Sequence, residues 1–278
     1  MKGASTLERA QVSHPGKSEN MEVRVVAANR GWHWLVEGFA LFRRSPAMWI
    51  AIVVLLYVVF ALLVRIPVFG IVVLLFFPAL LAGLMHGCTR LEAGDPLEIG
   101  HLVTGFRRNA AYLVTLGGIS LVGNLLLLML FVALSGEATM AIMKNAAAGK
   151  VDPAAAEAVM RAAPRVLTAA LVVMTLSLPL LMGLWFAPLL VYFHDLKPLR
   201  ALFVSLWACW KNALPFLVYG IAVFLGLMVL TPFTIALRQT DLSLWLLAPV
   251  LIPSVYASYK DVFGAPPPVT AVAGALPR

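Results

Sequence analysis

The chain has 278 residues, of which 62% are hydrophobic and only 12% charged, with a formal net charge of +8 and a mean hydropathy of +0.92. A soluble domain is about 45–50% apolar and about 25% charged, so this composition cannot cover a water-facing surface and requires a multipass membrane protein. Two Cys, 20 Gly and 18 Pro are too few for a disulfide scaffold, a disordered chain or a collagen-like repeat.

Residues 1–30 read as a polar tail, too polar and too unlike a signal h-region to be a cleavable leader. Translation could start at Met1 or at Met21. The following domain, residues 31–263, is expected to be all-α, with six transmembrane helices. A hydrocarbon core about 30 Å thick needs roughly 20 apolar residues per helix, because backbone polar groups find no water there. The first two spans share one apolar run from Ala47 to His86, divided by Arg65-Ile66-Pro67, an arginine and a helix-stopping proline that predict a tight turn. The others are expected at Ala110 to Leu134, Val166 to Tyr192, Leu214 to Leu237 and Leu242 to Tyr259. Between spans three and four lies an insertion, residues 135–165, whose stretches Ala138 to Ala148 and Ala154 to Ala163 predict a small helical hairpin around Asp152-Pro153. Two roles fit it, a cap over a cavity or a surface feature at the interface. Residues 264–278 form a Pro/Ala-rich tail.

Fifteen of the 21 Lys and Arg fall in the N-terminal segment, the 88–109 and 194–213 loops and the C-terminal tail, which predicts that both termini are cytoplasmic. In a bacterial cell the site is the inner membrane. Cys88 and Cys209 are then expected as two free, packed cysteines at the reducing face.

A short amphipathic segment precedes each pair of spans. The copies are Gly38-Phe39-Ala40-Leu41-Phe42-Arg43-Arg44-Ser45, Thr104-Gly105-Phe106-Arg107-Arg108-Asn109 and Trp207-Ala208-Cys209-Trp210-Lys211-Asn212. In the first, Leu35, Phe39 and Phe42 share one helical face and His33, Glu37 and Arg44 another; in the third, Leu199, Phe203, Leu206 and Trp210 oppose Arg200, Val204 and Lys211. Such segments are expected to lie flat in the cytoplasmic interface. The second span of each pair carries a matching proline, in Phe77-Pro78, Ala187-Pro188 and Ala248-Pro249. The architecture predicted is three hairpin units, about residues 33–100, 101–198 and 199–263, each preceded by its interfacial helix.

Arg30-Gly31-Trp32-His33-Trp34-Leu35, with Gly38-Phe39 and Leu41-Phe42-Arg43-Arg44-Ser45-Pro46, resembles the opening of a family of uncharacterised proteobacterial inner-membrane proteins. The likeness continues through Glu92-Ala93-Gly94-Asp95-Pro96 and covers most of residues 21–263. It implies six spans and no assigned activity. More distantly, the repeated hairpins resemble the membrane domain attached to some glycerophosphodiester phosphodiesterases, whose catalytic domain has no counterpart in these 278 residues.

No Walker, HExxH, GxSxG or CxxC pattern occurs, so no catalytic, cofactor-binding or metal-binding residue is assigned and no cofactor is expected. An enzyme would have to rely on His86, His101 and His194, all expected near the cytoplasmic interface. No span holds Asp, Glu, Lys or Arg away from its ends, and the most polar deep position is Asn124, one turn after Ser120. Asn124 is a candidate interhelical hydrogen-bonding residue or a polar contact in a lipid or solute cavity. Arg43, Arg44, Arg107, Arg108, Arg200 and Lys211 are candidate contacts for anionic lipid headgroups, each gaining about 1 kcal/mol there, or simple topology determinants. That placement assigns the positive charge to membrane lipids rather than nucleic acid. The function expected is a non-enzymatic scaffold, accessory subunit or lipid-organising protein with a membrane-protein partner or complex; the alternative is a transporter or lipid translocator with a proline-kinked central cavity.

Overall fold

The computed structural model describes residues 22–63, 67–136, 153–236 and 242–267, with side chains omitted at 67–70 and 153–162. Among these residues every regular element is helical: α1 Arg30–Arg44, α2 Pro46–Leu63, α3 Pro67–Glu92, a 3-10 helix η1 Ile99–Phe106, α4 Ala110–Ser135, α5 Pro153–His194, α6 Pro198–Lys211, α7 Ala213–Ala236 and α8 Leu242–Phe263. Six of them, α2, α3, α4, α5, α7 and α8, are long and apolar enough to cross a membrane. The chain is thus an all-α protein with six candidate spans. The turn at Arg65-Ile66, the stretch Ala138 to Ala148 and the outer parts of both tails, 1–21 and 268–278, lie outside the described residues.

One predicted boundary is displaced. The stretch Ala154 to Ala163 is not a separate helix but the opening turns of α5, which runs unbroken for 42 residues, about 63 Å. Pro164 lies inside it, where a proline removes a single ladder bond, and the alanines before it have the highest helix propensity, so the helix continues through it.

The helices form two rings. Contacts among α3, α5 and α8 make the inner ring, while α2, α4 and α7 lean on its outside. The buried side chains concentrate at the end of the bundle that carries α1, η1 and α6, here termed the basic end: Trp49 and Ile52 on α2, Met85 and Cys88 on α3, Leu113 and Leu116 on α4, residues 186–193 on α5, Tyr256 and Tyr259 on α8. Toward the other end fewer side chains are buried, and Leu126, Met129, Met174 and Val229 are exposed. Hydrocarbon packing against lipid gains little over packing against protein, so close association needs small residues or polar pairs. Both occur mainly at the basic end.

Each short helix folds antiparallel along an inner span: η1 along α3, α6 along α5, and α1 along α8. The last contact joins the two ends of the chain and closes the ring. The crossings repeat the same geometry. A Cβ on Gly38 would lie 2.6 Å from the Val250 carbonyl oxygen and 2.8 Å from the Ser254 amide nitrogen, and one on Gly105 would lie 2.0 Å from the Ala79 oxygen. At the third crossing, Ser205 occupies the place of Gly38. Its hydroxyl donates to the Met182 carbonyl (2.7 Å) and accepts from the Phe186 amide (2.9 Å), inserting itself into the α5 ladder.

These contacts revise two readings of the repeat. The face that packs in α1 is Gly31, Trp34, Gly38 and Leu41, between the apolar and polar stripes seen in the sequence; Phe39 and Trp32 point outward, 47% and 56% exposed. In α6 it is Ala201, Ser205, Ala208 and Cys209, with Phe203 and Trp210 outward. Rather than lying free in an interface, the short helices present small residues to the bundle. The second revision concerns register: the crossings match Met182 with Val250, which puts Pro188 two helical turns beyond Pro249, not opposite it. A seven-residue slip returns nearly the same helical face, so periodicity alone could not separate the two registers.

Candidate functional site

The polar groups of the described residues gather where the inner helices end. α3 stops at Glu92, whose chain reverses through Gly94 at φ +94, and α8 stops before Gly264 at φ +89; both need the left-handed region that glycine enters without strain. These stops bring Glu92 and Lys260 together as an ion pair, and the Tyr256 hydroxyl donates to Glu92 Oε2 at 2.9 Å. Arg44 Nη1 donates to the Leu91 carbonyl at 3.2 Å, capping the end of α3.

A second joint ties α1 to α8. Arg30 donates from Nε and Nη2 to the two oxygens of Asp261 (2.6 and 2.7 Å), and the buried Trp34 indole N–H donates to Oδ2 at 2.7 Å. The Asp261 carboxylate, with Glu37 adding, holds the Arg30 pKa above its usual value against the cost of burial.

The third joint links η1, α4 and α5. Arg108 pairs with Asp195 at 2.9 Å and lies over the Tyr192 ring, 5.6 Å from its centroid. Asn109 and Asp195 both adopt left-handed backbone, φ 56 and 54, and are hydrogen-bonded to each other. Beside them the His86 ring stands edge-on to His101, with centroids 5.6 Å apart, and 5.9 Å from Tyr192. His86 Nδ1 and Arg108 Nε are buried without a hydrogen-bond partner among the described residues. His194 turns away from this pair to Tyr259, 2.6 Å from its hydroxyl, so the three histidines do not converge. Among the described residues no group of three or more His, Cys, Asp or Glu could hold a metal ion. Cys88 and Cys209 are free and buried, and burial pushes the Cys209 pKa up to about 12, so its thiol stays protonated.

His101 has a structural task. Its Nδ1 accepts the Glu98 amide at 3.1 Å, one half of the capping box that opens η1. Desolvation lowers its pKa below the usual 6.5, the nearby Arg90 adding to the shift and Glu98 and Asp95 opposing it. The unfolded state therefore takes up the proton first, and η1 loses stability as pH falls through about 6.5, while raising the pH above 7 changes nothing. NMR titration of the His101 ring is expected to show a midpoint below 6.5, with Glu98 amide exchange accelerating over the same range.

The six candidate headgroup residues divide into two kinds. Arg44 and Arg108 are engaged by the protein as described. Arg43, Arg107 and Arg200 are exposed and have no hydrogen-bond or ion-pair partner among the described residues, and Lys211 is exposed with its ammonium 5.1 Å from the Trp207 ring centroid. Arg43, Arg107 and Lys211 sit at the ends of α1, η1 and α6, one from each unit, beside outward apolar residues such as Phe39, Val103 and Trp207. Asn124 lies exposed on the face of α4 that carries Leu113 and Gly117 toward α3, and its amide donates to the Ser120 carbonyl of its own helix at 2.8 Å. The pairing residues Arg30, Glu92, Lys260 and Asp261 were not singled out from the sequence as site residues, although Glu92, Lys260 and Asp261 lie near the ends of the predicted units.

No protein-family model matches the chain, and no solved structure is matched. A relative from Burkholderia thailandensis bearing the name "Probable inner membrane protein" is 31% identical over 264 residues, which cover 89% of this chain and 96% of that protein. The match takes in nearly the whole of both chains, spans and short helices alike, and the present chain belongs to the same inner-membrane protein family.

Proposed function

We propose that the protein is a non-enzymatic organiser of lipid at the cytoplasmic leaflet, a scaffold whose basic end gathers anionic headgroups and presents them, or itself, to a membrane partner. Both termini are cytoplasmic in this reading. The observation that carries it is the set of outward cations Arg43, Arg107 and Lys211, one per unit, each next to apolar side chains that face the bilayer. A cation held at headgroup depth by such neighbours gains about 1 kcal/mol from anionic lipid.

The test is native mass spectrometry of protein extracted gently from its own membrane, beside a variant carrying R43Q, R107Q and K211Q. The retained ratio of anionic to zwitterionic lipid is expected to fall severalfold, and at most about a hundredfold, the limit for three additive contacts of about 1 kcal/mol. An unchanged ratio, with only the topology of reporter fusions at the termini altered, refutes specific lipid binding. One observation favours a lipid translocator instead: Asn124, a polar side chain, is exposed near the middle of α4. Lipid flux in proteoliposomes that Asn124→Leu abolishes would make that the better reading.

A further inference from the structure

Of the outer spans, α2 leans on α3 and α8, and α4 on α3 and α5. Where α4 meets α3, a Cβ on Gly117 would lie 1.9 Å from the Leu75 carbonyl oxygen, so the backbones touch. Where α7 meets α5, the Trp185 ring stands edge-on to Phe216 and Tyr219 at 5.5 and 5.8 Å. Where α2 meets α8, the helices touch but leave a space beside the contact. A groove of about 360 Å³ runs along it, bounded by Phe42, Ile50, Val54, Tyr57, Trp245 and Pro249. Tyr57 and Trp245 meet edge-on at 5.4 Å toward its far end, while Ile50 and Val54 are half-exposed along its outer lip.

We propose that this groove holds one acyl chain of an anionic glycerophospholipid from the leaflet at the basic end, with the lipid phosphate at Arg43. The headgroup chemistry rests on the reading above; the seat for the chain is new. Three observations choose this occupant. From Ile50 to Tyr57 the groove follows α2 for about 10 Å, and from Leu242 to Val250 it follows α8 for about 12 Å, most of the roughly 15 Å hydrocarbon depth of one leaflet. Its volume over that length gives a mean cross-section of roughly 30 Å², room for one extended hydrocarbon chain but not for a helix about 10 Å across. At its mouth Phe42 is followed by Arg43, which is exposed and has no side-chain partner among the described residues, so this cation is open to a phosphate.

The experiment titrates the full-length protein in mild detergent with palmitoyl-oleoyl phosphatidylglycerol and counts bound lipid by native mass spectrometry, beside V54W and L246W. Both positions are about half-exposed and border the groove, one from each helix, so a tryptophan fills the slot without entering the core. The wild type is expected to retain one tight lipid per chain, and both variants to lose it at least tenfold with unchanged thermal midpoints. Undiminished retention in either folded variant overturns the proposal. So does a wild-type dimer that either tryptophan dissociates, which would put a second copy in the groove. The R43Q, R107Q and K211Q protein separates the two readings: if it keeps its anionic preference while V54W loses the lipid, the groove stands and the headgroup reading falls. If it loses that preference while V54W binds normally, the groove falls and the headgroup reading stands.

Discussion

Replacing Gly105 by alanine is expected to cost about 3 kcal/mol or more of folding stability, whereas the same change at Gly100, five residues earlier in η1, leaves stability unchanged or slightly raised. The added methyl at Gly105 would lie 2.0 Å from the Ala79 carbonyl oxygen, a backbone atom that cannot swing aside. Inserting a methylene into a packed core usually costs about 1–3 kcal/mol, and a clash with backbone exceeds that because the two elements must separate. Gly100 has nothing within 4 Å and no left-handed backbone, so alanine there only narrows the unfolded ensemble, worth about 0.4–1 kcal/mol. Thermal unfolding in detergent, with the yield of monodisperse protein, separates the two. A Gly105→Ala protein as stable as the wild type would mean that η1 does not pack along α3.

Removing the Asp261 carboxylate should be nearly as damaging. Asp261→Ala takes three hydrogen bonds at once, two from Arg30 and one from the Trp34 indole. Trp34 is fully buried, so its N–H would be left without a partner, a penalty of about 1–3 kcal/mol, while hydrogen bonds to a charged group contribute about 1.5–3 kcal/mol. The Arg30 side chain is 32% exposed and keeps Glu37, which discounts the ionic part. The expected loss is about 3 kcal/mol. A double-mutant cycle with Trp34→Phe is expected to return a coupling of about 1 kcal/mol, because the phenylalanine has no N–H to orphan. Additive losses would show that the indole and the carboxylate do not interact. This contact also joins the first helix to the last, so Asp261→Ala is expected to expose residues near Arg30 to proteolysis before the rest of the bundle opens.

Much of the candidate site was visible as residues and little of it as arrangement. The cations at the ends of the short helices could be picked out because basic residues recur before each pair of spans, and position at a membrane boundary depends on local composition. Which of them face outward could not. Arg43 and Arg44 are neighbours of the same type and both exposed, yet one has no partner among the described residues and the other caps α3 through the Leu91 carbonyl, a choice made by a helix end 47 residues away. The groove was invisible for the same reason. Ile50 and Val54 read like any apolar pair in a span, and only the way α2 meets α8 leaves a space beside them, whereas at Gly117 the backbones of α3 and α4 touch.

By itself, the sequence determined that this chain is a six-span helical membrane protein, with its basic residues concentrated on one side. Those properties are local: a segment in lipid must satisfy its own backbone, so length and hydropathy along the chain are sufficient to locate it. The tertiary structure decided the rest. It chose the small-residue face of each short helix over the large apolar one, set Pro188 two turns from the matching positions of Pro78 and Pro249, and placed Asp261 on Arg30. Lipid solvates a leucine about as well as another helix does, so hydrophobicity cannot rank one apolar face against another; close backbone approach at glycine and serine, and the pairing of charges far apart in the chain, make that choice.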